Sequence, residues 1–270
     1  MTPGTQRAAM LAALLTATGC SSRPYSVIVV VIDALRADHL GCYGYARPTS
    51  PTLDRLSASG YVFDNAIAQS SWTSSSIGSL FTSTYPSVHG VQRFNSVLPG
   101  ALDTLATAFR RRGYQTAGFS ANFVLVSRAM GFAAGFDRFV ELKSVARGEE
   151  EAALPGPEPA HAAEVTEAAI RWLDQPRRGP IFLYLHYMDP HSGYQPPEPH
   201  RARFAAPGYS GPIDGSNPQL VRIAHGEMKV DREDRQRLVD LYDGEIAFAD
   251  EQIGRLLRAL DVSGLRRSRT

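Results

Sequence analysis

Cysteine is nearly absent from this 270-residue chain; Cys20 and Cys42 are the two it has. Two cysteines exclude a disulfide framework, a Cys-x-x-Cys redox pair and a zinc site of the Cys/His type. Excess charge is lacking too. Lys and Arg number 28 against 27 Asp and Glu, a net charge of +1, so no electrostatic footprint draws the chain to nucleic acid. The apolar run from Ala8 to Thr18 is shorter than the roughly 20 residues that a membrane-spanning helix needs. There is no internal repeat and no low-complexity block. What remains is a globular composition, 43% hydrophobic and 20% charged, long enough to bury a sizeable core as one large domain or two small ones.

Arg7 and the Leu- and Ala-rich run after it read as a targeting segment, residues 1–20, to be set apart from the fold. The run ends in Ala17-Thr18-Gly19-Cys20, which resembles a bacterial lipobox with Ala17 where Leu is usual. On that reading Cys20 carries the lipid, residues 21–25 are a tether, and residues 26–270 form the domain held outside the cytoplasm at a bacterial membrane. Ordinary secretion with an incidental Cys20 is the alternative, and on both readings the protein leaves the cytoplasm. Cys42 is then an unpaired thiol, expected as a small core residue.

Ser26 to Ile32 is an almost unbroken β-branched run, the pattern of a strand buried on both faces of a parallel sheet. Further strands are expected over Tyr114 to Phe119 and Pro180 to Tyr187. Helices are expected over Pro51 to Ser59, Leu102 to Arg111, Ala162 to Leu173 and Arg235 to Leu260, the last with Leu, Ile and Tyr at helical spacing. Strand and helix alternate, which predicts an α/β sheet with helices on both faces. The acidic stretch Arg147 to Glu158 and the Pro-, Gly- and Ser-rich stretch Gly193 to Gln219 read as surface loops.

Three places carry residues suited to chemistry. Asp33 ends the first strand, where open α/β sheets place ligands; it reads as a hard-metal ligand or, alternatively, as a helix-capping Asp. Ser70 to Leu80 is a hydroxyl-dense loop feeding a helix. Free N–H groups and the helix dipole there suit an anion, and Thr73 can serve as a nucleophile; a plain Ser/Thr cap is the alternative. His186 and His191 close the third strand, as substrate or leaving-group contacts or as structural histidines.

In order and spacing these segments resemble the sulfatase family of the alkaline phosphatase superfamily. Asp33 to Gly44 is similar to its first metal-binding segment, and Pro48 to Leu56 to the helix start that follows. Leu80 to Gly90 is similar to the stretch after its nucleophile. Asp189-Pro190-His191 with Pro196-Pro197 is similar to its substrate-binding histidine segment, and Tyr242 to Gly254 to the helix before its second metal-binding motif. The resemblance implies a three-layer alkaline-phosphatase-like sheet with helices on both faces. It also implies an extracytoplasmic hydrolase of anionic esters using a divalent metal ion (Ca, Mg, Mn or Zn). Residue by residue, Thr73 matches the nucleophile, Asp33 and Thr73 metal ligands and His191 a catalytic histidine, with His186 beside it as a substrate contact; Asn122 offers substrate an uncharged hydrogen bond where the family carries a cation.

Three departures qualify this. Thr73 stands where sulfatases carry the Cys or Ser that becomes formylglycine, and Ile77 stands where they carry an arginine. An unmodified Thr is what relatives acting on phosphoesters use, so a phosphodiesterase or a phosphoglycerol-type transferase in the complete form is an alternative. Ser120-Ala121-Asn122-Phe123 replaces the family's Gly-Lys-Trp-His segment and removes its cation. Finally, the basic run after Asp261 stands where the family's next metal-binding strand is expected. This predicts a C-terminally incomplete, truncated domain whose metal is incompletely coordinated. The rival reading is a catalytically inactive lipoprotein.

Overall fold

The computed structural model describes residues 24–143, 161–177 and 179–265. The targeting segment with Cys20, the acidic stretch Arg147 to Glu158 and residues 266–270 lie outside the described residues.

Four strands form one parallel sheet: β1 (Val27–Ile32), β2 (Gln115–Ser120), β3 (Arg138–Glu141) and β4 (Ile181–Tyr187), in the order β1-β4-β2-β3. All seven residues of β4 are buried, as its unbroken apolar run requires of a central strand. Alternation along the strands divides the core into two layers. Ile28, Val30 and Ile32 join Leu183, Leu185 and Tyr187 on one face. There they meet Val165 and Leu173 of helix α5 (Ala162–Leu173) and Ile253 and Leu256 of helix α8 (Arg232–Val262). Val27, Val29 and Val31 join Phe182 and Tyr184 on the other face. They pack with Ile77 and Phe81 of helix α2 (Thr73–Thr82) and Ala106 of helix α4 (Leu105–Arg111). Helices therefore cover both faces, and the three-layer architecture is the one the resemblance implied.

Beyond shifts of one to three residues at element ends, three differences from the sequence expectation stand out. β3 has four residues with one buried apolar side chain, Phe139, too short a pattern to register. Helix α8 starts three residues early, because Asp231 accepts from the Asp234 N–H and Asp234 reciprocates as a capping box. The stretch Gly193 to Gln219 is not merely a surface loop. It holds a short helix α6 (His200–Arg203) and the start of α7 (Asn217–Ala224), and it buries Phe204 and Ile213. Among the described residues the other α-helices are α1 (Pro51–Ser57) and α3 (Pro86–His89). Among the described residues no helix is long and apolar enough to cross a membrane.

Helix α8 carries buried carboxylates that organise the loops at the carboxyl edge of the sheet. Asp250 accepts from the backbone N–H groups of Thr52 and Leu53 and so starts α1. Asp243, fully buried, meets His39 Nδ1, Tyr45 OH and Arg47 NH1, each at 2.7 Å. Arg47 also pairs with Asp240 at 2.9 Å.

Candidate active site

The strand alternation that sends Val27, Val29 and Val31 toward Phe81 puts Asp33 on the same face, at the carboxyl end of β1. The Asp33 N–H still donates to Tyr187 O at 3.0 Å. Ala34 then turns left-handed, with φ 55°. The register pairs His186 with Val31 on one side and Ser120 on the other, so its ring rises on that face as well.

Helix α2 brings the fourth partner. Thr73 is its first helical residue rather than a loop residue, and Trp72 holds the cap position without any side-chain cap bond. The Ser/Thr-cap alternative is thereby excluded for this helix. The Ser76 N–H is the first to bond within the helix, to Trp72 O at 2.9 Å. The N–H groups of Thr73, Ser74 and Ser75 have no partner within the helix and mark its positive end.

Four sequence-selected residues meet at one atom. Asp33 Oδ2 accepts from Thr73 Oγ1 at 3.3 Å and Asn122 Nδ2 at 3.3 Å, and pairs with His186 Nε2 at 3.2 Å. Asn122 is held in turn by its Oδ1, which accepts from the Leu125 N–H at 3.0 Å. His186 is fully buried and Asn122 is 7% exposed, so both face Asp33 from within the protein. Burial pushes the Asp33 carboxyl up. The hydrogen bonds of His186 and Asn122, with the imidazoles of His186 and His191, outweigh that and hold it below its ordinary value. His191 is exposed and touches Ser192, not the cluster; its charge reaches Asp33, its atoms do not. Asp189 of the same segment has a structural task. It accepts from the Ala162 N–H at 2.8 Å and meets His161 Nδ1 at 3.1 Å, fixing the start of α5.

Two supporting residues escaped the sequence reading. Tyr184 OH meets His186 Nδ1 at 2.9 Å, with both side chains fully buried, and burial drives the Tyr184 hydroxyl well above its usual range. It therefore keeps its proton and directs Nε2 at Asp33. The available signal was the two-residue spacing along a strand, which puts Tyr184 and His186 on one face. His89 Nδ1 accepts from the Val91 N–H at 3.1 Å, and its Nε2 meets Ser79 Oγ at 3.1 Å. That pins α2, and a Cβ on Gly78 would come within 2.9 Å of the His89 ring.

The metal that the resemblance implies does not fit the residues described. Asp33 is the single carboxylate at the cluster, its Oδ2 already takes three partners, and no group of three or more His, Cys, Asp or Glu suited to a metal occurs among the described residues. A hard divalent cation wants about six oxygen donors, and this set falls well short.

Tyr45 and Tyr242 are pushed up to about 12, both first by burial, Tyr45 also by its bond to Asp243. An unfolded tyrosine ionises near 10. Between these values the folded state keeps protons that the unfolded state has lost, so stability falls as pH rises through the window. The midpoint of urea unfolding is expected to decline from pH 10 to 12, and less steeply in Tyr45→Phe. An equal slope in both proteins would contradict this.

Comparison with known proteins gives a consistent picture. A family model described as Sulfatase matches residues 26–269. Human iduronate 2-sulfatase is 26% identical over 291 residues, covering 87% of this chain and 51% of that protein. The N-acetylgalactosamine-6-O-sulfatase of Bacteroides thetaiotaomicron is 32% identical over 103 residues, covering 36% of this chain and 20% of that protein. Among solved structures, the phosphonate monoester hydrolase of Agrobacterium radiobacter superposes with a TM-score of 0.69 at 23% identity, over 90% of this chain and 60% of that one. The chain spans about half the length of the first curated relatives it matches.

Proposed function

The chain belongs to the sulfatase family, and from that premise we propose that it carries the nucleophile side of an anionic-ester hydrolase, with Thr73 as the attacking group. The observation that carries the reading is the 3.3 Å contact between Thr73 Oγ1 and Asp33 Oδ2 at the open end of a ten-residue helix. The substrate's sulfate or phosphate group sits against the N–H groups of Thr73, Ser74 and Ser75, where the helix end favours negative charge. Asp33, held anionic by its three partners, orients the Thr73 hydroxyl and draws on its proton. The oxygen of Thr73 bonds to sulfur or phosphorus as the bond to the leaving oxygen breaks. His191, on the exposed rim, supplies the proton to that oxygen. The oxygen of water or an alcohol then bonds to the same sulfur or phosphorus, its proton passing to His191, as the bond to the Thr73 oxygen breaks and Asp33 returns the proton to Thr73. His186 and Asn122 serve by holding Asp33.

Thr73 cannot become formylglycine, so an elimination route from a sulfated hydrate is closed and the covalent ester must be displaced directly. That favours phosphoesters over sulfuric esters as substrates. The test is a comparison of an aryl phosphodiester with an aryl sulfate. Higher kcat/KM for the phosphodiester is expected, and the reverse order would contradict the phosphoester reading. Turnover of neither would favour the second reading, a non-catalytic member of the family. The single carboxylate at the cluster is the observation on its side.

A further inference from the structure

We propose that Tyr242 is a positioning residue for Asp33, acting by holding the left-handed turn at Ala34. Two non-glycine residues among those described have positive φ, Ala34 and Ser83, both at 55°. Ser83 ends helix α2, a usual place for that conformation. Ala34 ends no helix. It follows Asp33 directly, in a region that any residue with a Cβ disfavours, so its neighbours must hold it there.

Tyr242 is the neighbour that does. Its hydroxyl donates to Ala34 O at 2.8 Å and accepts from the Arg36 N–H at 2.9 Å. One proton given and one taken bridge the two ends of the turn, across a sequence separation of 206 residues. The ring is 7% exposed and packs with Leu40 and Ile246, while His39 and Tyr194 meet it edge-on at 5.0 and 5.4 Å. The bridge is thus mounted on the long helix α8. If the turn relaxes toward the ordinary negative-φ region, the chain direction leaving Asp33 changes, and the carboxylate swings away from Thr73 and Asn122. The functional meaning of this rests on the reading of Asp33 as the partner of Thr73.

Tyr242→Phe keeps the ring and removes only the oxygen. In that variant the Arg36 amide is expected to exchange with solvent at least about tenfold faster. The NMR signals of the Asn122 side-chain amide, which donates to Asp33 Oδ2, are expected to shift. Ala34→Gly added to Tyr242→Phe should return the Asn122 signals toward those of the parent, because glycine adopts positive φ without being held. A ring that merely packs predicts the opposite: unchanged Arg36 exchange in Tyr242→Phe, or an added glycine that displaces the Asn122 signals further. Either result overturns the proposal. Should Tyr242→Phe fail to fold, Ala34→Gly alone decides; melting at or above the parent temperature supports a constrained turn, and melting clearly below it overturns one. None of these readouts needs turnover, so their failure leaves the Thr73 assignment to its own test.

Discussion

Thr73→Ala is expected to lower ester hydrolysis by at least about a thousandfold while the fold persists, since loss of a covalent nucleophile removes the whole pathway. The persistence follows from the structure. The Thr73 side chain caps nothing, its hydrogen bond goes to Asp33 alone, and it is only half-buried. Alanine also suits the first turn of a helix. Thr73→Ser keeps the hydroxyl and should stay within about tenfold of the parent, the loss reflecting freer rotation once the β-branch is gone. Steady-state kcat/KM with a thermal melt on each variant checks both. Undiminished activity in Thr73→Ala would remove Thr73 from the mechanism.

The largest loss of stability is expected from Asp243→Ala, about 3–5 kcal/mol, the usual cost of deleting one partner from a buried charged network. Asp243 is fully buried and answers His39, Tyr45 and Arg47 at 2.7 Å each. With it gone, Arg47 keeps Asp240, but His39 loses its carboxylate. The Tyr45 hydroxyl loses its acceptor in a pocket that already resists ionisation. Asp243→Asn keeps the shape and one acceptor oxygen and should cost distinctly less. Urea unfolding gives both numbers, and a loss in Asp243→Ala below about 1 kcal/mol would mean the network is dispensable.

Strands β1 and β4 are legible as long apolar runs, whereas β3 is not, and the sheet register carries Asp33 and His186 to one face. Thr73 is legible through resemblance to the family, and Asn122 through its place just after the second strand, where the family's segment is replaced. What was hidden has a common physical cause. Tyr184 looks like one more aromatic in a buried strand, and only the neighbouring strands reveal that its hydroxyl meets His186. His89 pairs with Ser79 and Val91 through a helix end and a turn that no periodicity encodes. The contact between His39 and Asp243 spans 204 residues, and the bridge from Tyr242 to Ala34 spans 208. A histidine that closes a strand at the ligand edge, as His186 does, is expected from sequence to face substrate. Its full burial against Tyr184 and Asp33 turns it inward instead. The stretch Gly193 to Gln219 misled in the same way, since its polar composition hid two apolar anchors, Phe204 and Ile213.

The most direct measurement is mass spectrometry of the protein quenched during turnover of an aryl phosphodiester or aryl sulfate. A phosphoester or sulfate ester is expected on the peptide that contains Thr73, absent from Thr73→Ala. Turnover with the adduct on another residue, or with no adduct in any quenched sample, would contradict it.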